Sequence, residues 1–297
     1  MKVDLSVIIL SYNTKRLTEE CLSSLLNSLS KIKGLKIEII VVDNGSTDRS
    51  DEMLKNFKFK NGIQFKLIIN KTNAGYPKGN NQALKLVQGK YVLFLNSDVL
   101  IDNVNFSNII NYLDKNQNIG VLTVKVLLSN KTIDPASHRG FPTIWNSICY
   151  FSGLEELFRN ILRLNKIFGG YHLVHLNLQK IHEIDSPTGA FYLTRKKILE
   201  KLGGFDEDFF MYGEDLDLSY RIKKLGYMIV YYPLYQVIHL KHASGLDKKD
   251  ETTRNRTREY FYEAMEIFYK KHYAAKQIKI VNNGIYLFID VLKYLHV

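Results

Sequence analysis

The chain predicts an α/β fold in which a mostly parallel sheet is covered by helices on both faces. Strand, turn and helix patterns alternate through the N-terminal part, as parallel strands joined by crossovers require. The strands are short apolar runs, and each ends in a polar cluster: Ser11-Tyr12-Asn13, Asp43-Asn44-Gly45-Ser46 and Asn96-Ser97-Asp98. In open sheets of this kind ligands bind beyond the carboxyl ends of the strands. Ser11, Tyr12, Asn13, Asp43, Asn73, Gly75 and Asp98 are therefore expected to converge on one crevice.

Residues 7–10 form the first expected strand, and Thr14 is placed to cap a helix carrying Leu17, Cys21, Leu22, Leu25, Leu26 and Leu29 at helical spacing. A buried strand over 37–42 stops at Asp43, and Asn44-Gly45-Ser46-Thr47-Asp48 makes a polar turn and helix cap. The third strand is expected over 65–70, a helix over 80–87 and the fourth strand over 91–95. Beyond Asp98 the alternation loosens, with a helix over 106–113, a strand over 120–128 and an irregular, helix-rich stretch over 141–181. Within that stretch Leu154, Leu157, Phe158, Ile161 and Leu162 make an apolar stripe flanked by Arg159, Arg163 and Lys166. It reads as a helix packed on its own domain or as a face for a membrane or partner chain. The α/β pattern resumes over 186–193, with a helix over 195–202 and a buried strand over 228–232.

From Thr253 the chain is helical and basic, with Arg254, Arg256 and Arg258 ahead of Tyr260, Phe261 and Tyr262. This segment is expected to dock Phe261, Met265 and Phe268 inward and to turn its charges toward phospholipid. The last apolar positions, Ile285, Phe288, Ile289, Leu292 and Leu295, suit pairing with another chain, as in a homodimer, or lying on a membrane.

The formal charge of +11 points to an anionic partner: nucleic acid, a phosphorylated ligand or an acidic membrane. Only charge favours nucleic acid, and none is expected. Two cysteines, Cys21 and Cys149, lack metal-ligand spacing, so neither a disulfide framework nor a zinc site is expected. The start of the chain runs directly into a strand and no apolar run reaches bilayer-spanning length. The expectation is a cytoplasmic protein, peripheral on the inner face of the plasma membrane.

The chemistry concentrates in residues 205–221, where Phe209, Phe210, Met211 and Tyr212 precede Glu214, Asp215 and Asp217. Carboxylates against apolar walls are poised for proton transfer, whereas the same residues on a helix start would merely complement its dipole. There is no Gly-x-Gly-x-x-Gly and no Gly-Lys-Ser/Thr loop, so dinucleotide and P-loop readings are weak. Asp43 instead suits a nucleobase N–H or sugar hydroxyl, and Asp98 is a hard oxygen ligand for a cation that neutralises a diphosphate.

These residues, in this order and spacing, resemble a family 2 glycosyltransferase of its rhamnosyltransferase-like branch. The resemblance covers most of residues 3–245 and rests on Val-Ile-Ile-Leu-Ser-Tyr-Asn from Val7 and Val-Val-Asp-Asn-Gly-Ser-Thr-Asp from Val41. It continues through Asn73-x-Gly75, Gly79-Asn80-Asn81, Leu95-Asn96-Ser97-Asp98, Gly203-Gly204-Phe205-Asp206-Glu207, Gly213-Glu214-Asp215-Leu216-Asp217-Leu218, Arg221, and His239 with Ser244. It implies a GT-A fold, a Rossmann-like mixed sheet flanked by helices with a C-terminal helical extension. The catalytic domain would be 1–250, divided into a nucleotide-binding half (1–100) and an acceptor-binding half (101–250), with the extension over 251–297.

The implied activity is inverting transfer of a sugar from a nucleotide-diphosphate donor, dTDP-L-rhamnose first and UDP-GlcNAc, UDP-galactose or UDP-glucose behind it. A non-catalytic sugar-nucleotide binding module is the alternative. The acceptor would be a glycan or a polyprenyl-linked saccharide in cell-surface polysaccharide synthesis. Asp215 would be general base and Glu214 its companion, orienting the acceptor or the base. Asn80, Asn96 and Ser97 join the donor-binding residues, and Asp98 and His239 would hold Mn2+ or Mg2+. The chain departs from the family at Asn96-Ser97-Asp98, which has one carboxylate fewer than Asp-x-Asp, at Lys78 and at His242.

Overall fold

The computed structural model describes residues 3–32, 34–59, 62–241 and 251–296. The N-terminal part is a run of parallel pairings: β1 (Leu5–Ser11), β2 (Ile37–Asp43), β3 (Gln64–Ile69) and β4 (Tyr91–Asn96), joined through α1 (Lys15–Ser30), α2 (Ser50–Asn56) and α3 (Tyr76–Leu84). Every residue of β2 is buried, which is why it reads as an unbroken apolar run apart from Glu38 and Asp43. Glu38 is tolerated because Ser6 and Lys66 bond to its carboxylate, at 2.5 and 2.7 Å.

The second half is β5 (Val99–Ile101), α4 (Phe106–Lys115), β6 (Ile119–Leu128), α5 (Ile144–Phe151), α6 (Leu154–Phe158), α7 (Leu164–Phe168), β7 (His182–Ile184), β8 (Phe191–Arg195), α8 (Lys196–Leu202), α9 (Glu214–Lys224) and β9 (Met228–His239). All strands join one mixed sheet in the order β3-β2-β1-β4-β8-β6-β9-β5, with β7 also on β9. The predicted bias toward parallel pairing holds in the first half and gives way beyond β4, where β8 is antiparallel to both β4 and β6.

Several expectations change in detail. The short strands β5 and β7 escaped the sequence reading because three residues are too few to show a period. The strand expected over 228–232 runs on to His239, with a register shift against β6 that lets its two ends pair in different registers. The stripe from Leu154 to Leu162 is no continuous helix, since α6 ends at Phe158, and Leu157 and Leu162 are 68% and 84% exposed. Thr14 sits at the N-cap of α1 without capping it, because its hydroxyl is spent on Ser11, Thr18 and Ser97.

The last described segment holds α10 (Glu251–His272) and α11 (Lys279–His296). α10 packs on α9 and the loop ahead of it: His272 Nε2 bonds the buried Asp217 at 2.8 Å, and Lys271 bonds Asp206 and Asp208. Phe268 and Ala264 pack with Phe209 and Leu216, and Tyr260 stacks on Phe210 with ring centroids 4.5 Å apart. Of the predicted inward positions, Phe268 is buried, whereas Phe261 is 40% exposed. Among the described residues no helix is long and apolar enough to cross a membrane.

Candidate active site

The carboxyl ends of β1 and β4 and the loops after β2 and β3 open on a cleft of about 1340 Å³. Tyr12, Asn13, Asn73, Gly75, Asn96, Ser97, Asp98, Glu214, Asp215 and His239 all line it, which brings most of the predicted site residues together. The loops are tied by side-chain amides. Asn13, held at φ 54°, accepts from the Thr47 N–H at 2.7 Å, while its own N–H donates to Ser46 at 2.9 Å. Asn44 donates to Asn73 at 2.9 Å, and Asn73 in turn accepts from the Gly75 N–H at 2.9 Å. Gly75 has φ +87°, and a Cβ there would stand 2.7 Å from the carbonyl oxygen of Phe210, so only glycine lets the loop after β3 meet the loop ahead of α9.

Three predicted contacts are corrected. The Ser11 side chain is fully buried and bonds Thr14 and Thr18, and Asn80 is buried with its amide donating to the Tyr76 carbonyl. Both side chains build the crevice wall from behind instead of lining it. Asp43 is also buried and does not line the cleft; its Oδ2 accepts from the Ser46 N–H at 3.3 Å while Oδ1 has no partner. Burial pushes its carboxyl above the usual range. Asn96 Oδ1 accepts from the Tyr76 hydroxyl at 3.1 Å, and Ser97 meets the Thr14 hydroxyl at 3.1 Å. His242 and Ser244 lie outside the described residues.

On the cleft floor His239 stands between two carboxylates. Its Nδ1 bonds Asp134 at 2.8 Å and its Nε2 faces Asp98 at 3.2 Å. Although burial opposes its charge, these two partners raise its pKa to about 9, and His239 with Lys241 holds Asp134 well below the usual carboxylate range. Asp98 Oδ2 is buried without a partner. Among the described residues no three His, Cys, Asp or Glu side chains form a ready-made metal cage. The donor set nevertheless fits a cation that takes its remaining ligands from a diphosphate: an orphaned carboxylate oxygen beside an imidazole whose far nitrogen is fixed by a carboxylate.

The acidic pair opens α9. Tyr212 and Gly213 both have positive φ, 68° and 74°, a turn that sends the next two side chains back into the cleft. Asp215 Oδ2 accepts from Arg139 Nη2 at 2.8 Å in a buried ion pair, and Oδ1 accepts from the Leu216 N–H at 2.7 Å. Glu214 is buried, its Oε2 has no partner, and burial together with the charge of Asp215 pushes it up to about 8. Asp217, from the same motif, points away and serves Arg221 and His272.

Sequence reasoning missed Asp134 and Arg139. Asp134 has a weak signal, an aspartate before Pro135 that accepts from the Ala136 N–H at 3.1 Å. Arg139 has none, because it enters through an isolated bridge to Ser186.

Residues 6–203 match the family described as Glycosyl transferase family 2, and residues 164–283 match Glycosyl transferase family group 2. Among curated proteins, Poly(ribitol-phosphate) beta-glucosyltransferase of Bacillus spizizenii is 29% identical over 65% of this chain and 30% of its own length. Rhamnosyltransferase WbbL of Escherichia coli is 24% identical over 69% of this chain and 84% of its own. N-acetylglucosaminyl-diphospho-decaprenol L-rhamnosyltransferase of Mycobacterium tuberculosis is 37% identical over 25% of each. The chain thus spans less than a third of the Bacillus relative's length. Among solved structures, Staphylococcus aureus TarS 1-349 in complex with UDP-GlcNAc superposes with a TM-score of 0.58 at 23% identity, covering 95% of this chain and 70% of that one. The mannosyltransferase PcManGT of Pyrobaculum calidifontis, in complex with GDP-Man and Mn2+, gives 0.60 at 17%, covering 94% and 66%. At these identities the structural likeness shows a shared fold, the GT-A architecture.

Proposed function

The chain belongs to glycosyl transferase family 2, and from that premise we propose that it transfers a sugar, with inversion, from a nucleotide-diphosphate donor to a glycan or polyprenyl-linked acceptor for the cell surface. The observation that carries this is one cleft holding both a salt-bridged carboxylate, Asp215, and the Asp98–His239 pair. Inversion needs a base on the face opposite the leaving group and positive charge on the leaving group's side. Asp215 takes the proton of the acceptor hydroxyl. The hydroxyl oxygen then bonds the anomeric carbon, and the bond to the diphosphate oxygen breaks with its electron pair on the nucleotide.

Asp98 and His239 would hold Mn2+ or Mg2+, which when bound neutralises the charge growing on the departing diphosphate. Asp134 fixes His239 with Nε2 toward that place. Asp43 Oδ1, buried and unpartnered, is suited to accept a base N–H once a nucleotide closes over it. Glu214, protonated at neutral pH, donates a hydrogen bond to the acceptor or sugar and leaves the base role to Asp215.

The donor put first is dTDP-L-rhamnose, supported by the two relatives named as rhamnosyltransferases, with a UDP-sugar as second reading. Peripheral contact with an anionic membrane is supported by the +11 charge and by the exposed apolar residues Leu287, Val291 and Leu295 of α11. The test is calorimetric titration of dTDP, UDP, GDP and ADP with Mn2+, Mg2+ or EDTA, followed by transfer assays with the sugar nucleotides that bind. Asp215→Asn should bind donor as the parent does and transfer nothing. Normal transfer by that variant refutes the base assignment, and absence of nucleotide binding refutes the transferase reading.

A further inference from the structure

The cleft continues well past the groups a nucleotide sugar needs. Single-ligand sites usually occupy about 300–1,000 Å³, and this cleft of about 1340 Å³ leaves room for a second molecule. Its two ends differ in chemistry. The donor end is ringed by the asparagines of the strand-end loops, whereas the helices contribute a mostly apolar wall, Ile148 and Phe151 from α5, Met265 and Phe268 from α10, Ile285 and Phe288 from α11, with Ser147, Tyr150 and Tyr269 set among them. α5 and α11 meet here, with the rings of Phe151 and Phe288 edge to face at 5.8 Å.

The orientation of α10 shows which substrate this wall serves. Its polar cleft residues, Arg256 and Thr257, lie near Tyr260, which stacks on Phe210 beside the donor loop. Its apolar cleft residues, Ala264 and Phe268, pack on Gly213 and Leu216 at the base end. The apolar wall therefore adjoins the side on which an acceptor hydroxyl must meet Asp215. Ile148 and Phe288 keep 46% and 38% of their surface in solvent, apolar area that a bound chain would cover.

We propose that the groove walled by α5, α10 and α11 binds the isoprenoid chain of a lipid-linked acceptor, with the acceptor's sugar delivered to Asp215 at its inner end. This rests on the transferase reading, from which the acceptor side of Asp215 is taken.

The experiment titrates inorganic diphosphate, geranyl diphosphate and farnesyl diphosphate into the full chain in EDTA by calorimetry. Each added isoprene unit buries several methylene equivalents, so farnesyl diphosphate should bind at least about tenfold tighter than geranyl diphosphate, and inorganic diphosphate more weakly than either. Ile148→Asp and Phe288→Asp should each weaken farnesyl diphosphate at least about tenfold while nucleotide binding in the calorimetric panel stays within about twofold of the parent. Affinity independent of chain length overturns the proposal, as does farnesyl binding untouched by both substitutions. Light scattering that shows a dimer abolished by Phe288→Asp also overturns it, since a second copy would then cover the wall. A chain that binds isoprenoids in this graded way but no nucleotide refutes the transferase reading and leaves the groove assignment standing.

Discussion

Replacing Glu214 by glutamine tests the electrostatics of the site directly. Glu214 is raised from 4.5 to about 8, by burial first and by the charge of Asp215 second. A carboxyl whose folded pKa exceeds its unfolded one contributes stability that is complete below the unfolded value and is lost as pH rises through the folded value. The window here therefore opens at 4.5 and closes near 8. Inside it the slope approaches about 1.4 kcal/mol per pH unit, so the parent should lose about 3 kcal/mol between about pH 5.5 and pH 7.5 from this one group. Glutamine keeps the shape and cannot ionise. Denaturant unfolding of both proteins across that range should show the parent's stability falling relative to Glu214→Gln, with the variant the more stable above about pH 8. Parallel curves would show that Glu214 is solvated or charged in the folded protein, and its assignment as a neutral hydrogen-bond donor would fall with them.

Asp134→Asn removes the carboxylate that fixes His239 and should weaken metal-dependent nucleotide binding about 10- to 100-fold in calorimetry, while binding in EDTA stays unchanged. His272→Ala strips the buried Asp217 of one partner, leaving Arg221 as the other. It should cost about 3 kcal/mol in urea unfolding and make the α10–α11 segment the first site of limited proteolysis. Gly75→Ala forces a Cβ to within 2.7 Å of the Phe210 carbonyl at φ +87°; a loss of about 1–3 kcal/mol is expected, and an unchanged melting temperature would show that the loop yields freely.

The strand-end half of the site was legible because β1, β2 and β4 are mostly apolar, Ser6 and Glu38 aside, and a polar cluster closes each. That rule put Asn96 and Asp98 on the cleft, whereas Asp43 ends its strand but stays behind the cleft wall. The motif from Gly213 to Asp217 was legible as a cluster but not as separate roles, since helix spacing does not reveal that Asp217 faces away toward His272. What stayed hidden came from loops and long separations. Asp134 meets His239 across 105 residues and Arg139 meets Asp215 across 76, and no local period encodes either contact. Thr14 illustrates the opposite error: its position was right for a cap, but nearby hydroxyls outcompeted the helix amide for its oxygen.

Arg139 answers why two adjacent carboxylates on one helix turn should differ. The N-terminus of α9 favours negative charge at both positions, and burial opposes it at both. Two like charges side by side in a poorly solvated cleft cannot both be borne cheaply, so a single cation decides which is kept. Arg139 is anchored by the Pro187 carbonyl at 3.2 Å and reaches Asp215 at 2.8 Å, while Glu214 Oε2 is left without a partner. In the transferase reading proposed above, this gives Asp215 the place of proton acceptor and Glu214, raised by burial and by the charge of Asp215, that of hydrogen-bond donor. On that reading the base is specified by a residue outside the acidic motif, and a chain carrying the motif without an arginine placed like Arg139 would have no physical reason to prefer Asp215 over Glu214.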